Sequence, residues 1–468
     1  MPEELTRLSA SALAALVRAR RVSAVEVAEA HLCEVGRRNP RLNAVVTLAP
    51  DVTERAREVD AALARGGECG ALAGVPVTVK DTIEVAGLRT TFGSRVFAEY
   101  VPDVDAPSVA RLRAAGAIIL GKTNASELAL DYTADNPVFG RTNNPLDVRL
   151  TPGGSSGGCA AAVASCMTAA GLGSDLAGSL RVPAHFCGVA SLRPTAGRVP
   201  GGGHLPPVEG PFALGASLGP IARRVEDLEL LFDVLSGEGA RDESSARTSE
   251  EIVDSLRGRR FAFYSDDGHT PVTDETRLAV ESAARALEDA GMVGVEETPP
   301  HVGRATKLWG RMFSRATQEF LIKLFAGRED EAGPLARLLI ERGRRSGPPA
   351  PDEYGETLRE RERLRGELVG WMDARPVLVA PVGAVPAYEH DTRVVSPEGG
   401  KPFGVFAAFG YALAFSALDL PAACVRAGWT HDGLPVGVQV VGRPRAEREV
   451  LAAARAVELT LRGERRAR

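Results

Sequence analysis

Three residues stand where hydrolytic chemistry could begin. Lys80 closes the apolar run Gly74-Val75-Pro76-Val77-Thr78-Val79. Ser155 lies in Pro152-Gly153-Gly154-Ser155-Ser156-Gly157-Gly158, and Ser179 ends a second glycine-rich stretch that begins at Gly171. A serine nucleophile needs a base to take its proton. Lysine can be that base when burial disfavours its charged form, whereas arginine stays protonated. Only five of the 56 basic residues are lysines, so a lysine on an oily strand calls for a chemical reason. Small residues before Ser179 let consecutive backbone N–H groups converge on one spot, as a developing oxyanion requires.

Two other motifs compete. Gly116-Ala117-Ile118-Ile119-Leu120-Gly121-Lys122-Thr123 has the letters of a phosphate loop. Its variable residues want burial in a strand, whereas that loop must expose its amides, so Lys122 is read as structural. Gly153-Gly154-Ser155-Ser156-Gly157 has the pattern of a nucleophile elbow. An elbow needs a strand before it and an acid and a histidine after it. Residues Asn143 to Leu150 make a poor strand, and His185, His204, His269, His301, His390 and His431 have no signature context.

The elements that must position these residues follow from periodicity. Residues 5–39 read as helical, with Ser23 as an N-cap. Strands are expected over Val45–Leu48, Gly74–Asp81 and Ala117–Leu120, with helices over Asp51–Ala64 and Ser108–Ala115. Thr133–Gly158 is a long loop, of the kind that is functional when it sits in a compact domain, and a small-residue helix is expected over Cys159–Ala170. Further on, strands are expected at Arg259–Tyr264, Val377–Ala380 and Gly437–Val441. A helix is expected at Asp274–Ala290, and Pro348-Pro349-Ala350-Pro351 breaks a helical region over Arg311–Arg365. The alternation predicts an α/β sheet with helices on both faces. Residues 1–468 read as one domain, with 241–370 as a helical substrate-shaping layer and 462–468 as a basic tail.

Composition narrows the class. With 468 residues, 44% hydrophobic and 25% charged, the chain can bury a large core without staples. A net charge of −5 argues against a general nucleic-acid footprint. Six cysteines without a C-x-x-C pair argue against a disulfide framework or a zinc site. The acidic N-terminus lacks a signal-peptide pattern, and the Gly404–Leu418 run is too short to span a membrane. A cytoplasmic protein is the expectation.

At these residues the sequence resembles the amidase signature family. The resemblance rests on GVPVTVKD (74–81), GKTNASEL (121–128), PGGSSGG (152–158), GSDLAGSLRVPA (173–184), CGVASLRPTAGRV (187–199) and GLPVGVQVVG (433–442). It covers nearly the whole chain and is weakest over about 240–370. It implies a large mixed, twisted sheet flanked by helices, and amide hydrolysis with neither metal nor cofactor. It implies Lys80 as base, Ser155 as a relay behind a cis peptide, and Ser179 as the acyl-forming nucleophile. The backbone amides of Leu176, Ala177 and Gly178, with that of Ser179, would form the oxyanion hole. Asp175 and Arg181 would support the turn, or else form a local ion pair without catalytic consequence. Ala129, Leu130 and Asp131 fall where the family's substrate cleft begins. Asp131 would favour a cationic or hydrogen-bond-donating substrate if it faces that cleft, and is otherwise a solvated loop carboxylate.

Ala177 stands where the family usually has glycine; its methyl group narrows the turn but keeps the N–H. Cys159 replaces a common serine and reads as a small buried residue, and Asn124 as a tie between loops. The expected partner is a small-molecule amide substrate, with no nucleic acid and no membrane span; a homodimer is left open. The same signature occurs in the glutamine-hydrolysing subunit of the tRNA-dependent amidotransferase, although Leu130-Asp131-Tyr132-Thr133 looks unlike that subunit's small-residue stretch. Acyl transfer to an amine instead of water is a third reading.

Overall fold

The computed structural model describes residues 2–67, 69–237, 256–346, 352–397 and 400–462. Its centre is an eleven-stranded mixed sheet. In chain order the strands are β1 (Val45–Leu48), β2 (Pro76–Lys80), β3 (Ile118–Thr123), β4 (Ala170–Asp175), β5 (Ala190–Arg193), β6 (Ser217–Ala222), β7 (Arg260–Phe263), β8 (Val293–Glu296), β9 (Val377–Pro381), β10 (Ala422–Trp429) and β11 (Pro435–Gly442). Across the sheet they run β1-β3-β2-β4-β6-β5-β10-β11-β9-β7-β8. β3, β2 and β4 are parallel neighbours, and so are β9, β7 and β8. The other pairings are antiparallel.

Side chains alternate between the two faces of a strand, and each face here has its own core. Val377 and Val379 join Val77, Val79 and Val438 on one side, under helices Ala10–Arg18, Val225–Ser236, Asp274–Asp289 and Glu447–Leu461. Leu378 and Ala380 join Cys424 and Val441 on the other, under helices Arg181–Cys187, Val302–Trp309 and Gly410–Ala417. With Val77 and Val79 committed to the first core, Lys80 projects toward the second side, where the glycine-rich segments lie.

Local signals set the N-terminal helices. Ser9 caps Ala10–Arg18, and Ser23 with Glu26 forms a reciprocal capping box at the start of Ala24–Leu42. The helical reading of 5–39 thus resolves into separate helices, the last starting at the expected Ser23 cap. The long loop Thr133–Gly158 carries a small hairpin, Asp135–Asn136 with Gly140–Arg141, and Asn124 donates across it to Ala134 O and Gly140 O. The small-residue helix covers Gly157–Ala164 and stops well before Ala170, which begins β4. Glycines at 171 and 173 hid that strand from propensity. They are there for contact: a Cβ on Gly173 would lie 2.8 Å from Ser156 Oγ. Strands β5, β6 and β10 also escaped the pattern reading, because buried strands carry no period-2 signal; β8 escaped it as a short, largely exposed edge strand. The Pro348–Pro351 break, residues 241–255 of the helical layer and residues 463–468 of the tail lie outside the described residues. Among the described residues no helix is long and apolar enough to cross a membrane.

The serine loop is wedged against the sheet edge. A Cβ on Gly158 would sit 2.4 Å from Asn124 O and 2.8 Å from Ala44 O, both backbone. Gly158→Ala is expected to destabilise the protein by about 1–3 kcal/mol, as overpacking does. The urea midpoint measures it, with an unchanged slope if only stability is affected.

Candidate active site

β2 and β4 lie side by side in parallel, with Val79 paired to Leu172. Their carboxyl ends therefore reach one edge, the place where α/β sheets hold ligands. β2 delivers Lys80 there, and β4 delivers Ser174 and Asp175. The serine loop is strapped to β4 by Ser156, whose hydroxyl donates to Ser174 O at 3.2 Å. The Gly154–Ser155 peptide is cis.

Lys80 is fully buried. Its Nζ lies 2.7 Å from Ser155 Oγ and 2.9 Å from Ser174 Oγ. Burial pulls its pKa down to about 7, against smaller raising contributions from Cys159 and Asp175. Near neutral pH the amine therefore has a lone pair available to a hydroxyl proton. Ser155 and Ser179 both line a cavity of about 470 Å³. Among the described residues no hydrogen bond joins the two hydroxyls. Ser179 is held from its backbone side, its carbonyl accepting from Ser156 N at 3.2 Å.

The turn before Ser179 is fixed from outside. Trp309 Nε1 donates to Leu176 O at 2.8 Å, and the Tyr132 hydroxyl donates to Ala177 O at 2.6 Å. In a trans peptide the N–H points opposite its C=O, so the Trp309 bond turns the Ala177 N–H the other way. Gly178 N–H is already committed, donating to Asp175 Oδ1 at 2.7 Å. Of the four amides expected to meet an oxyanion, Gly178's thus has an internal partner in this structure. Gly178, not Ala177, takes the left-handed φ of 107°. The Ala177 methyl group therefore meets no backbone penalty.

Asp175 does more than pair locally. Burial raises its pKa, but the charge and hydrogen bonds of Arg181 outweigh that and hold it at about 2. Arg181 grips it through Nε and Nη2, both at 3.0 Å, and also donates to Gln439, Ala412 O and Ser416. The same carboxylate accepts from the Gly178 and Leu180 amides. It therefore ties the 176–179 turn to β11 and to the helix Gly410–Ala417.

Ala129, Leu130 and Asp131 do line the cavity. Asp131 is part-engaged, lying 3.5 Å from Arg393 Nη1 and accepting from Tyr132 N at 2.7 Å. Trp309, Thr317 and Leu339 of the helical layer form part of the wall, with Val405 and Phe406 from the C-terminal apolar run. Lys122 is buried away from the serines, with Asp81 at 3.3 Å and Thr90 at 2.7 Å. Cys159 is fully buried and lies 2.7 Å from Thr123 Oγ1. Among the described residues no cluster of metal-ligating side chains occurs.

Sequence reading missed Ser174, His204, Tyr132 and Trp309. Ser174 had a signal, adjoining Asp175 in the GSD triplet. His204 was weighed only as an elbow histidine and set aside for want of a signature context, and Tyr132 and Trp309 carried no catalytic signal.

Comparison with known proteins now decides the family. A family profile described as Amidase matches residues 26–451. The chain belongs to the amidase family. A curated relative from Carboxydothermus hydrogenoformans, named as one subunit of a glutamyl-tRNA(Gln) amidotransferase, is 31% identical and covers 97% of each chain. A solved inhibitor-bound structure, from a vestigial protein complex tied to the origins of an s-triazine catabolic enzyme, superposes with a TM-score of 0.87. It is 27% identical and covers 97% of this chain and 98% of its own. Substrate-bound 6-aminohexanoate cyclic dimer hydrolase gives 0.84 at 28% identity, covering 98% and 97%. These amidase-family relatives act on C–N bonds. One expectation is overturned: a small amide as sole partner, without nucleic acid, does not fit relatives that match end to end and are named as subunits of a glutamyl-tRNA(Gln) amidotransferase. The low net charge missed this, because net charge reports a general polyanion footprint and not recognition by one part of an assembly.

If the buried amine must be neutral to work, kcat/KM falls as pH drops through about 7. A pH–rate profile with an amide substrate checks it, and Lys80→Arg is expected to abolish turnover at every pH, since arginine stays charged.

Proposed function

We propose that this amidase hydrolyses a carboxamide C–N bond through a Ser179 acyl-enzyme. The observation that carries the reading is the buried Lys80 amine 2.7 Å from Ser155 Oγ. Neutral Lys80 takes the proton of Ser155 as Ser155 takes that of Ser179. Ser179 Oγ attacks the carbonyl carbon, and the amides of Leu176, Ala177 and Ser179 stabilise the oxyanion, that of Gly178 being held by Asp175. The C–N bond breaks, and the leaving nitrogen gains its proton from Lys80 through Ser155. Water repeats the relay on the ester, freeing the acid and restoring Ser179. Asp175 and Arg181 hold the turn in shape and touch no reacting atom.

The first substrate reading is the side-chain amide of glutamine, cleaved within an amidotransferase assembly; it is supported by relatives named as subunits of a glutamyl-tRNA(Gln) amidotransferase. A second reading, a larger amide with an apolar acyl part, is favoured by the cavity wall of Trp309, Leu339, Val405 and Phe406. In both, the helical layer and the C-terminal run shape the choice.

Ser179→Ala is expected to reduce turnover by about 10³-fold or more, as loss of a triad nucleophile does. Ammonia release from glutamine, with and without the partner proteins of an amidotransferase and charged tRNA, is compared with cleavage of aryl and fatty amides. Full activity of Ser179→Ala overturns the mechanism. Glutamine turnover that needs the partners selects the first substrate reading, and apolar amide turnover selects the second.

A further inference from the structure

Ser174 and His204 extend the hydrogen-bond chain beyond the residues that the proposed mechanism uses. Lys80 Nζ lies 2.9 Å from Ser174 Oγ, and Ser174 Oγ lies 2.9 Å from His204 Nε2. Thr82 Oγ1 is also near that nitrogen, at 3.2 Å. The other ring nitrogen, Nδ1, is 2.7 Å from Pro206 O. A carbonyl only accepts, so Nδ1 carries the hydrogen. In the neutral ring Nε2 is then an acceptor. The ring stays neutral: burial, and secondarily the charge of Lys80, pull its pKa to about 3, against the raising bond to Pro206 O.

The direction of every bond in the chain now follows. Lys80 must keep its one lone pair for the Ser155 proton. If Ser174 pointed its own O–H at that lone pair, the base would be blocked. Ser174 needs another acceptor, and Nε2 lies at the shorter of its two hydroxyl distances. With its proton committed there, Ser174 oxygen can only accept an N–H from Lys80. That places one N–H of the amine on Ser174 and leaves its lone pair free to face Ser155.

We infer that His204 is a positioning residue for the Lys80 base, acting through Ser174 by accepting its hydroxyl proton and so keeping the amine lone pair free for Ser155. The backbone holds the ring in place: His204 bridges to Ile83, and Leu205 N donates to Thr82 O at 3.0 Å, just past the end of β2. The inference rests on the Ser179 mechanism proposed above.

The test needs no natural substrate. A fluorophosphonate probe bonds phosphorus to Ser179 Oγ and expels fluoride, while the serine proton passes through Ser155 to Lys80. The labelling rate of the purified full chain, with peptide mapping to Ser179, is measured for four variants. His204→Phe removes the acceptor and is expected to slow labelling about 10²-fold, the scale of a misdirected catalytic group. His204→Gln, whose Oε1 can take the place of Nε2, is expected to stay within a few-fold of the wild-type rate. Ser174→Ala is expected to slow labelling, and Ser174→Ala with His204→Phe to be no slower than Ser174→Ala alone. A purely structural histidine would instead add its own loss, since independent effects add.

Wild-type labelling that never reaches Ser179 defeats the mechanism itself. With Ser179 labelled, a wild-type rate in His204→Phe, a folded His204→Gln as slow as His204→Phe, or additive losses in the double variant overturns the role of His204. If His204→Phe does not fold, fast His204→Gln beside slow Ser174→Ala supports the inference, and a wild-type rate in Ser174→Ala overturns it.

Discussion

The burial of one amine among hydroxyl groups is the constraint on which the rest depends. An ammonium taken out of water is costly unless a counter-charge meets it. Lys80 is fully buried, yet among the described residues it has no ion pair, only the oxygens of Ser155 and Ser174. Lys122 is the internal control. It is just as buried, on the neighbouring strand, but faces Asp81 at 3.3 Å. Burial lowers both pKa values, Lys122 only to about 8 and Lys80 to about 7. One lysine is supported as a charge, and the other lacks such support, as the proposed base requires.

A base is useful only if the nucleophile and the oxyanion donors stay where it can serve them. Here the buried polar groups supply that rigidity. Asp175 is bound by Arg181 and returns the grip to the amides of Gly178 and Leu180. Arg181 reaches Gln439 on β11 and Ser416 on a core helix, so the turn is anchored to elements from the far end of the chain. Trp309 and Tyr132 pin the carbonyls of the same turn from two further directions. Preorganised dipoles of this sort need no reordering during reaction. A large, two-sided core is what lets such a network be held without solvent.

Specificity is built from different material. The reactive residues sit at strand ends and in glycine-rich contacts with little room to vary. Part of the cavity wall is drawn from the 302–346 helices and the 404–406 segment. Such surfaces can change side chains without disturbing the sheet, and relatives on the same fold accordingly carry different substrates in their names.

The proposed site residues Lys80, Ser155 and Ser179 stood out in the sequence because the signal they carry is local. A lysine ending an apolar strand and serines between glycines each report an environment within a few residues. The N-cap at Ser23 and the strands β1, β2 and β3 were legible for the same reason. Strand β4 was not: Gly171 and Gly173 look like a turn, and only the helix pressed against them explains why side chains are excluded there. Nor was the bond from Gly178 N–H to Asp175, which depends on how the turn closes. His204, Trp309 and Tyr132 carried no sign at all. Their roles come from directions and distances across the fold, which a linear pattern does not encode. By itself the sequence determined which groups could react; tertiary packing decided which proton each would hold and where each would point, because burial and hydrogen-bond direction are properties of neighbours brought together from distant parts of the chain.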